Sequence, residues 1–162
     1  MAITRIKKGE VVDKLKEAFK NAASVVFVNF KGLTVGHTTE MRSALKKEGI
    51  SYSVAKKSLT KRALHDRKFE GEQPELPGEL SLAWGEDLVA PARNVYTFVK
   101  KFPENLKILG GVFEGRYMTG AEILAVAQIP PIEVLRGKFV NIINSPIQRF
   151  AIALNEVAKK KA

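Results

Sequence analysis

The fold of this chain is decided by Val25-Val26-Phe27-Val28-Asn29-Phe30, a continuous run of β-branched and aromatic residues broken only by one asparagine. Such a run is typical of a strand in the middle of a sheet, where both faces are covered. Lys31-Gly32 ends the run, since glycine interrupts a strand pattern. We therefore expect a central β-strand over residues 25–30, with helices packed on the sheet that contains it.

Helical patterns flank this strand on both sides. Before it, apolar residues recur every three or four positions and form one stripe of an amphipathic helix. These residues are Val11, Val12, Leu15, Phe19 and Ala22. After the strand, Thr34 is a candidate N-cap of a second helix that runs to about Glu48, where Gly49 favours a left-handed end.

Strand and helix patterns continue to alternate as far as residue 128. Further strands are predicted over residues 50–54, 80–84 and 106–113, and further helices after Ser58 as N-cap, over 88–99, and after the capping box that starts at Thr119. Gly110-Gly111 indicates a bend or bulge in the strand that contains it. The alternation predicts an α/β domain of the layered α+β type, in which a central sheet is flanked by helices. The order of the strands stays open.

All of the excess positive charge lies in residues 1–68. This part has 16 Lys and Arg against 6 Asp and Glu, whereas residues 69–162 have 11 of each. Clustered cations attract a polyanion by displacing its condensed counterions, and a neutral half contributes nothing to that attraction. The asymmetry predicts that one part of the chain binds nucleic acid and that the other part has a different task.

Composition excludes several other classes of protein. The chain has no cysteine and only two histidines, which excludes disulfide frameworks and a histidine-rich zinc site. Its longest apolar run is far shorter than the roughly 20 residues that a membrane span requires, and residues 1–8 lack the apolar stretch of a secretory signal. We expect a cytoplasmic protein with no membrane partner, no metal and no cofactor.

The segment from Lys31 to Arg62 concentrates the cations, with eight Lys and Arg against two Glu. Arg42 and Lys46 are four positions apart on the predicted helix, so their side chains point the same way. A solvated helical face is the alternative, although such a face usually mixes charges of both signs. Since no aromatic platform accompanies the cations, folded or double-stranded RNA is a better ligand than a stacked single strand.

Evidence for an enzyme is weak. The segment from Lys31 to Gly36 follows a strand and opens a helix, as an anion site would, but it matches neither phosphate-binding fingerprint. His37 and His65 have no neighbouring nucleophile pattern, so we predict no catalytic residue. A small α/β enzyme with a phosphorylated ligand remains the alternative from another class.

Beyond Pro130-Pro131 no strand pattern remains, and apolar residues step by three or four positions from Phe139 to Val157. Residues 139–146 and 150–157 superpose at a shift of 11, which is close to three helical turns, so the two copies present equivalent apolar faces. Packing against the first domain is one explanation. A projecting helix that binds partner helices is the other, and Pro146 is expected to kink or interrupt it. The predicted domains are 1–129 and 130–162.

The chain resembles the bacterial ribosomal protein L10 family over nearly its whole length. The resemblance is carried by residues 30–35, 41–46, 49–50 and 52–63, and by the later segments 78–83 and 112–115, in their order and spacing. It implies a structural protein whose first domain binds the ribosomal RNA of the GTPase-associated region beside protein L11. It also implies that the C-terminal helix carries dimers of the stalk protein L7/L12, which recruit translational GTPases.

The resemblance and the charge together give the candidate site residues. For RNA binding, the family's positions carry over onto Lys31, Gly32, Arg42, Lys46, Lys56, Lys57, Ser58 and Arg62, and Lys7 and Lys8 are added on charge alone. The candidate stalk-binding residues are Phe139, Ile142, Ile143, Ile147, Phe150, Leu154 and Val157.

Two departures from the family pattern matter. Lys57-Ser58 stands where the family usually has Asn-Thr, and the C-terminal helix is short, so two stalk dimers are expected, one per 11-residue copy. A ribosome-assembly relative that binds RNA without a stalk is the alternative within the same class.

Overall fold

The computed structural model describes residues 5–67, 69–71 and 73–161. Residues 1–4 lie outside these ranges. They are half of segment 1–8, on which the expectation of no secretory signal rests. Contacts divide the chain into two units, 1–129 and 130–162.

The described residues form six helices and five strands. The helices are α1 (Arg5–Asn21), α2 (Val35–Lys47), α3 (Lys57–His65), α4 (Ala90–Lys101), α5 (Gly120–Ala127) and α6 (Ile132–Lys161). The strands are β1 (Ser24–Phe30), β2 (Ser51–Val54), β3 (Leu80–Gly85), β4 (Leu106–Phe113) and β5 (Arg116–Thr119).

The five strands form one sheet in the order β2-β3-β1-β4-β5, and every neighbouring pair is antiparallel. The strand predicted from the apolar run is β1, and it lies at the centre between β3 and β4. Its residues from Ser24 to Val28 are buried. The predicted fold class, a sheet flanked by helices with a long C-terminal helix, is therefore confirmed.

Helices cover both faces of the sheet. On one face the side chains of α2, α4 and α5 form a core with β1, which includes Met41, Leu45, Val95 and Ile123. On the other face α1 and α3 contribute Leu15, Phe19, Ala63 and Leu64 to a second core. The apolar side that the sequence predicts for the first helix accordingly faces this second core.

The paired glycines lie beside an irregularity in β4, as predicted. Phe27 pairs with Gly110 but Val28 pairs with Ile108, so Leu109 is the extra residue of a β-bulge. The hairpin to β5 was missed because its two-residue loop, Glu114-Gly115, has glutamate at a position of positive φ where Asn or Asp usually signals the turn.

Two local predictions are wrong. The third helix begins at Lys57 with Lys56 as its N-cap, because Lys56 has the extended backbone of an N-cap and Ser58 is already inside the helix. The predicted interruption at Pro146 is wrong as well, since α6 is one helix of 30 residues with this proline inside it, whereas the predicted kink stays a prediction. Pro146 lacks an N–H group, so the helix continues there without one intrahelical hydrogen bond.

Candidate nucleic-acid interface

The ends of two strands bring the first group of predicted RNA-binding residues to one end of the sheet. Both β1 and β2 are antiparallel to β3, which lies between them, so β1 and β2 run in the same direction. Lys31-Gly32 follows β1, and Lys56, Lys57 and Ser58 follow β2. We call these five residues the basic end of the sheet.

The turn at Lys31 is held by two hydrogen bonds between Lys31 and Asn105. The backbone N–H of Lys31 donates to the carbonyl of Asn105 at 2.8 Å, and the Asn105 side-chain amide donates back to the carbonyl of Lys31 at 2.8 Å. Gly32 then adopts a φ of +67°, which favours glycine. Thr34 is the predicted N-cap of α2, and its hydroxyl accepts from the N–H of His37 at 3.4 Å.

A shallow groove of about 430 Å³ lies beside the basic end. Lys56 and Lys57 line it together with apolar residues from the ends of β1, β2 and β3, and Glu79 is its acidic residue. Val54, which also lines the groove, is 47% exposed although it is apolar. This surface therefore combines positive charge with apolar contact area.

Arg42 and Lys46 form a second group on the exposed face of α2. The Arg42 guanidinium carbon lies 5.7 Å from the centre of the Tyr52 ring, which keeps this cation against β2. Burial raises the pKa of Tyr52, while a hydrogen bond with Ser81 and the charge of Arg42 oppose that rise. Lys46 is 11 residues beyond the start of α2, about 16 Å along the helix, so it lies away from the basic end.

Lys8 and Arg62 form a third group, on the opposite face of the sheet. They line a groove of about 440 Å³ between α1 and α3. The ammonium group of Lys16 lies 2.6 Å from the carboxylate of Asp66 in the same groove. Their hydrogen bond and charge lower the pKa of Asp66 and raise the pKa of Lys16. Lys7 is exposed on α1 but does not line the groove.

The candidate cations form no ion pair with the carboxylates that the structure describes. Within residues 5–67, 69–71 and 73–161, the ion pairs are Lys16 with Asp66 and Lys101 with Glu40, and none involves a predicted RNA-binding residue. All ten of those residues except Lys57, which is half-buried, are exposed. Their charge is therefore available to an external anion.

The seven predicted stalk-binding residues are all exposed on α6. Six of them, all except Ile142, lie within a narrow sector around the axis of α6, and we call these six residues the apolar stripe. Phe139, Ile147 and Phe150 are 65%, 69% and 67% exposed. Sequence reasoning missed Ile132 and Leu135, which are exposed seven and four residues before Phe139, about two turns and one turn, and could have been found from this spacing.

Other kinds of site are missing from the part of the chain that the structure describes. No three acidic or histidine side chains come together there as a metal-binding group. None of the helices in that part is both long and apolar enough to cross a membrane. The segment from Lys31 to Gly36, considered above for a phosphorylated ligand, is a turn pinned by Asn105 rather than a glycine-rich cradle.

Comparisons with known proteins show the family of this chain. The family model described as ribosomal protein L10 matches residues 3–100. The chain is 34% identical over 160 residues to the large ribosomal subunit protein uL10 of Pelotomaculum thermopropionicum, which covers 99% of this chain and 91% of that protein. It is 35% identical over 161 residues to the uL10 protein of Staphylococcus epidermidis, which covers 99% and 96%. This chain belongs to the ribosomal protein L10 family.

Membership in the L10 family confirms three predictions. The chain is a structural, non-enzymatic protein of the large ribosomal subunit, and it is cytoplasmic as part of the ribosome. The alternative of a small enzyme with a phosphorylated ligand is therefore wrong. The matched residues 3–100 contain all three groups of candidate cations, whereas α6 and Asn105 lie outside them.

Proposed function

We propose that this L10-family protein binds large-subunit ribosomal RNA through its first unit and anchors stalk-protein L7/L12 dimers on α6. Protein L11 is then its neighbour on the RNA of the GTPase-associated region, and translational GTPases are reached indirectly through the dimers. The observation that carries the proposal is a division of surfaces: within the described residues the three groups of candidate cations form no ion pair, and the apolar stripe of α6 is exposed.

RNA binding by the first unit is supported by the position of the cations on three sides of one rigid sheet. The basic end, the exposed face of α2 and the groove between α1 and α3 cannot all contact one straight duplex. A folded RNA with several helices offers phosphates in several directions, and such RNA is recognised by its shape and backbone. This is the class of RNA that forms the interior of a ribosomal subunit.

Salt dependence tests this part of the proposal. If 6 to 10 phosphates are contacted, affinity for the ribosomal RNA fragment falls by about 10³ to 10⁵ between 50 and 200 mM salt. Arg42→Glu with Lys46→Glu should reduce affinity by at least about fifty-fold at 0.1 M salt, since each phosphate contact contributes roughly eight-fold there. Lys100→Glu with Lys138→Glu makes the same charge change in the neutral half and should have a much smaller effect. A flat salt response would rule out phosphate binding by these cations.

Stalk binding is supported by the phase of the apolar stripe. Because α6 is continuous through Pro146, the copies at 139–146 and 150–157 are related by 11 residues, about 16 Å along the axis and about 20° more than three full turns. Each copy therefore presents the same apolar pattern in nearly the same direction. Anchors at such spacings are how a helix fills the groove of a partner.

Truncation after Ser145 tests the number of dimers. It removes the second copy and leaves the first, so native mass spectrometry should count one stalk dimer instead of two. The first unit is unchanged, and RNA affinity should stay within two-fold of the full chain. An unchanged dimer count would overturn the assignment of one dimer per copy. A ribosome-assembly relative without a stalk predicts no dimer on either protein.

A further inference from the structure

Asn105 lies in the short turn between α4 and β4, in the neutral half of the chain, yet its side chain reaches the basic end of the sheet. It is half-buried, and its side-chain amide donates to the carbonyl of Lys31, a residue 74 positions earlier in the sequence. No charge pattern of the sequence singles this residue out. Asn105 therefore links the neutral half of the chain to a candidate RNA-binding lysine.

The side chain of Asn105 replaces a backbone donor at the end of the sheet. The pairing of β1 with β4 ends at Phe30 and Leu106, so Lys31 and Asn105 form the next step. The backbone N–H of Asn105 donates instead to the carbonyl of Phe102 at 3.2 Å, which closes the turn after α4. The side-chain amide supplies the missing donor, and Lys31 is bonded through both its N–H and its carbonyl.

This contact fixes the turn that carries Lys31. Gly32 reverses the chain with a φ of +67°, and a Cβ atom on it would lie 3.4 Å from the side-chain nitrogen of Asn105. The loop after α4 also contacts the start of α2, since the ring centres of Phe102 and His37 are 4.5 Å apart. The turn is therefore held by the loop after α4 at two points along its length.

We infer that Asn105 is a positioning residue of the RNA interface, which directs Lys31 and the Gly32 backbone toward a phosphate without contacting RNA itself. The inference rests on the proposed RNA binding. An exposed lysine on a free turn must lose conformational freedom when it binds, and a turn fixed beforehand reduces that loss. An interface in the basic half of the sequence would thus depend on a residue of the neutral half.

Asn105→Ala tests the inference in the full chain, with Asn21→Ala as a matched control on the exposed end of α1. Affinity for the ribosomal RNA fragment is measured against salt concentration, and the exchange rate of the Lys31 amide hydrogen is measured by NMR. We expect Asn105→Ala to weaken binding by about five- to ten-fold at 0.1 M salt, the size of one phosphate contact. The Lys31 N–H keeps its bond to the backbone carbonyl of residue 105, but opening of the turn no longer has to break the side-chain bond to the Lys31 carbonyl, so the Lys31 amide should exchange about five-fold faster. The control should change neither quantity by more than two-fold.

A double-mutant cycle with Lys31→Ala separates positioning from general destabilisation. If Asn105 acts through Lys31, the double variant binds within about two-fold of Lys31→Ala alone. Losses that multiply would overturn the inference, as would an Asn105→Ala protein that binds like wild type. Should Asn105→Ala fail to fold, Asn105→Leu replaces it, since it keeps a similar size, cannot donate and adds no charge, and it should weaken binding by at least as much. Failure of the proposed RNA binding can be told apart from failure of this inference, because wild-type protein would then show no salt-dependent binding to the RNA fragment.

Discussion

The sharpest prediction compares two isoleucines on opposite sides of α6. Ile143 lies in the apolar stripe and Ile152 lies nine residues later, which is two and a half turns and therefore the opposite side of the helix. Their exposures are nearly equal, 62% and 58%. Replacing each by alanine removes the same three carbon atoms from a similarly exposed position, so only the direction differs between the two variants.

The expected magnitude follows from the exposed fraction. Burying three methyl or methylene carbons stabilises a complex by about 2.4 kcal/mol at about 0.8 kcal/mol each. Since 62% of Ile143 is available for burial, a partner that covers it fully loses about 1.5 kcal/mol in Ile143→Ala, or about 12-fold in Kd. Ile152→Ala should change Kd by less than two-fold, because the stripe does not include it.

Titration calorimetry with purified stalk-protein dimers measures both variants. Because the two copies are separate in the proposal, Ile143→Ala should weaken the first site only, and the second site should keep the wild-type affinity. Circular dichroism serves as the control for helix content, which alanine does not lower. An equal loss in Ile152→Ala, or no loss in Ile143→Ala, would refute the assignment of the stripe as the binding face.

Two predictions concern the stability of the first unit. Phe27→Ala should reduce the free energy of unfolding by about 3–5 kcal/mol, because Phe27 is fully buried in the central strand, and urea unfolding measures this; a loss under 1 kcal/mol would contradict the central position of β1. Acid should also destabilise the unit, since hydrogen bonds hold the pKa of Asp66 and the pKa of Glu122 below their usual values. Their contributions are present above the unfolded-state pKa values of 3.8 and 4.5 and are lost as pH falls through the lowered ones. Melting temperatures between pH 7 and pH 3 should fall less in Asp66→Asn with Glu122→Ala than in wild type, and parallel curves would contradict this.

Much of the fold could be predicted from the sequence because its signals are local. The apolar run of β1 and the capping box from Thr119 to Glu122 depend on neighbouring residues alone, and both are present: the Glu122 carboxylate accepts from the N–H of Thr119 at 2.7 Å. The order of the strands depends on which residues meet across the sheet, which no periodicity records. The hairpin at Glu114-Gly115 was missed because glutamate seldom adopts a positive φ.

The candidate site was predictable in composition but not in arrangement. Charge counting finds the cations of residues 1–68, yet only the sheet shows that they form three groups and that Arg62 lies on the face opposite Arg42. Asn105 could not be found from charge, because its contribution is a hydrogen bond to a residue 74 positions away. Spacing along a chain predicts neighbours within an element, whereas contacts between elements depend on topology.

In the proposed function, the two units present their binding surfaces by different means, one on a sheet and the other on a single helix. Binding of a folded RNA requires several cations held at fixed separations, and the hydrogen-bonded turn at Lys31 together with the start of α3 at Lys57 would provide two of them. Stalk binding requires only that equivalent apolar residues recur at a helical period. Pro146 has no N–H to donate within α6, and it is the last residue of the first copy. Since α6 continues through this proline, the two copies of the stripe belong to one helix rather than two.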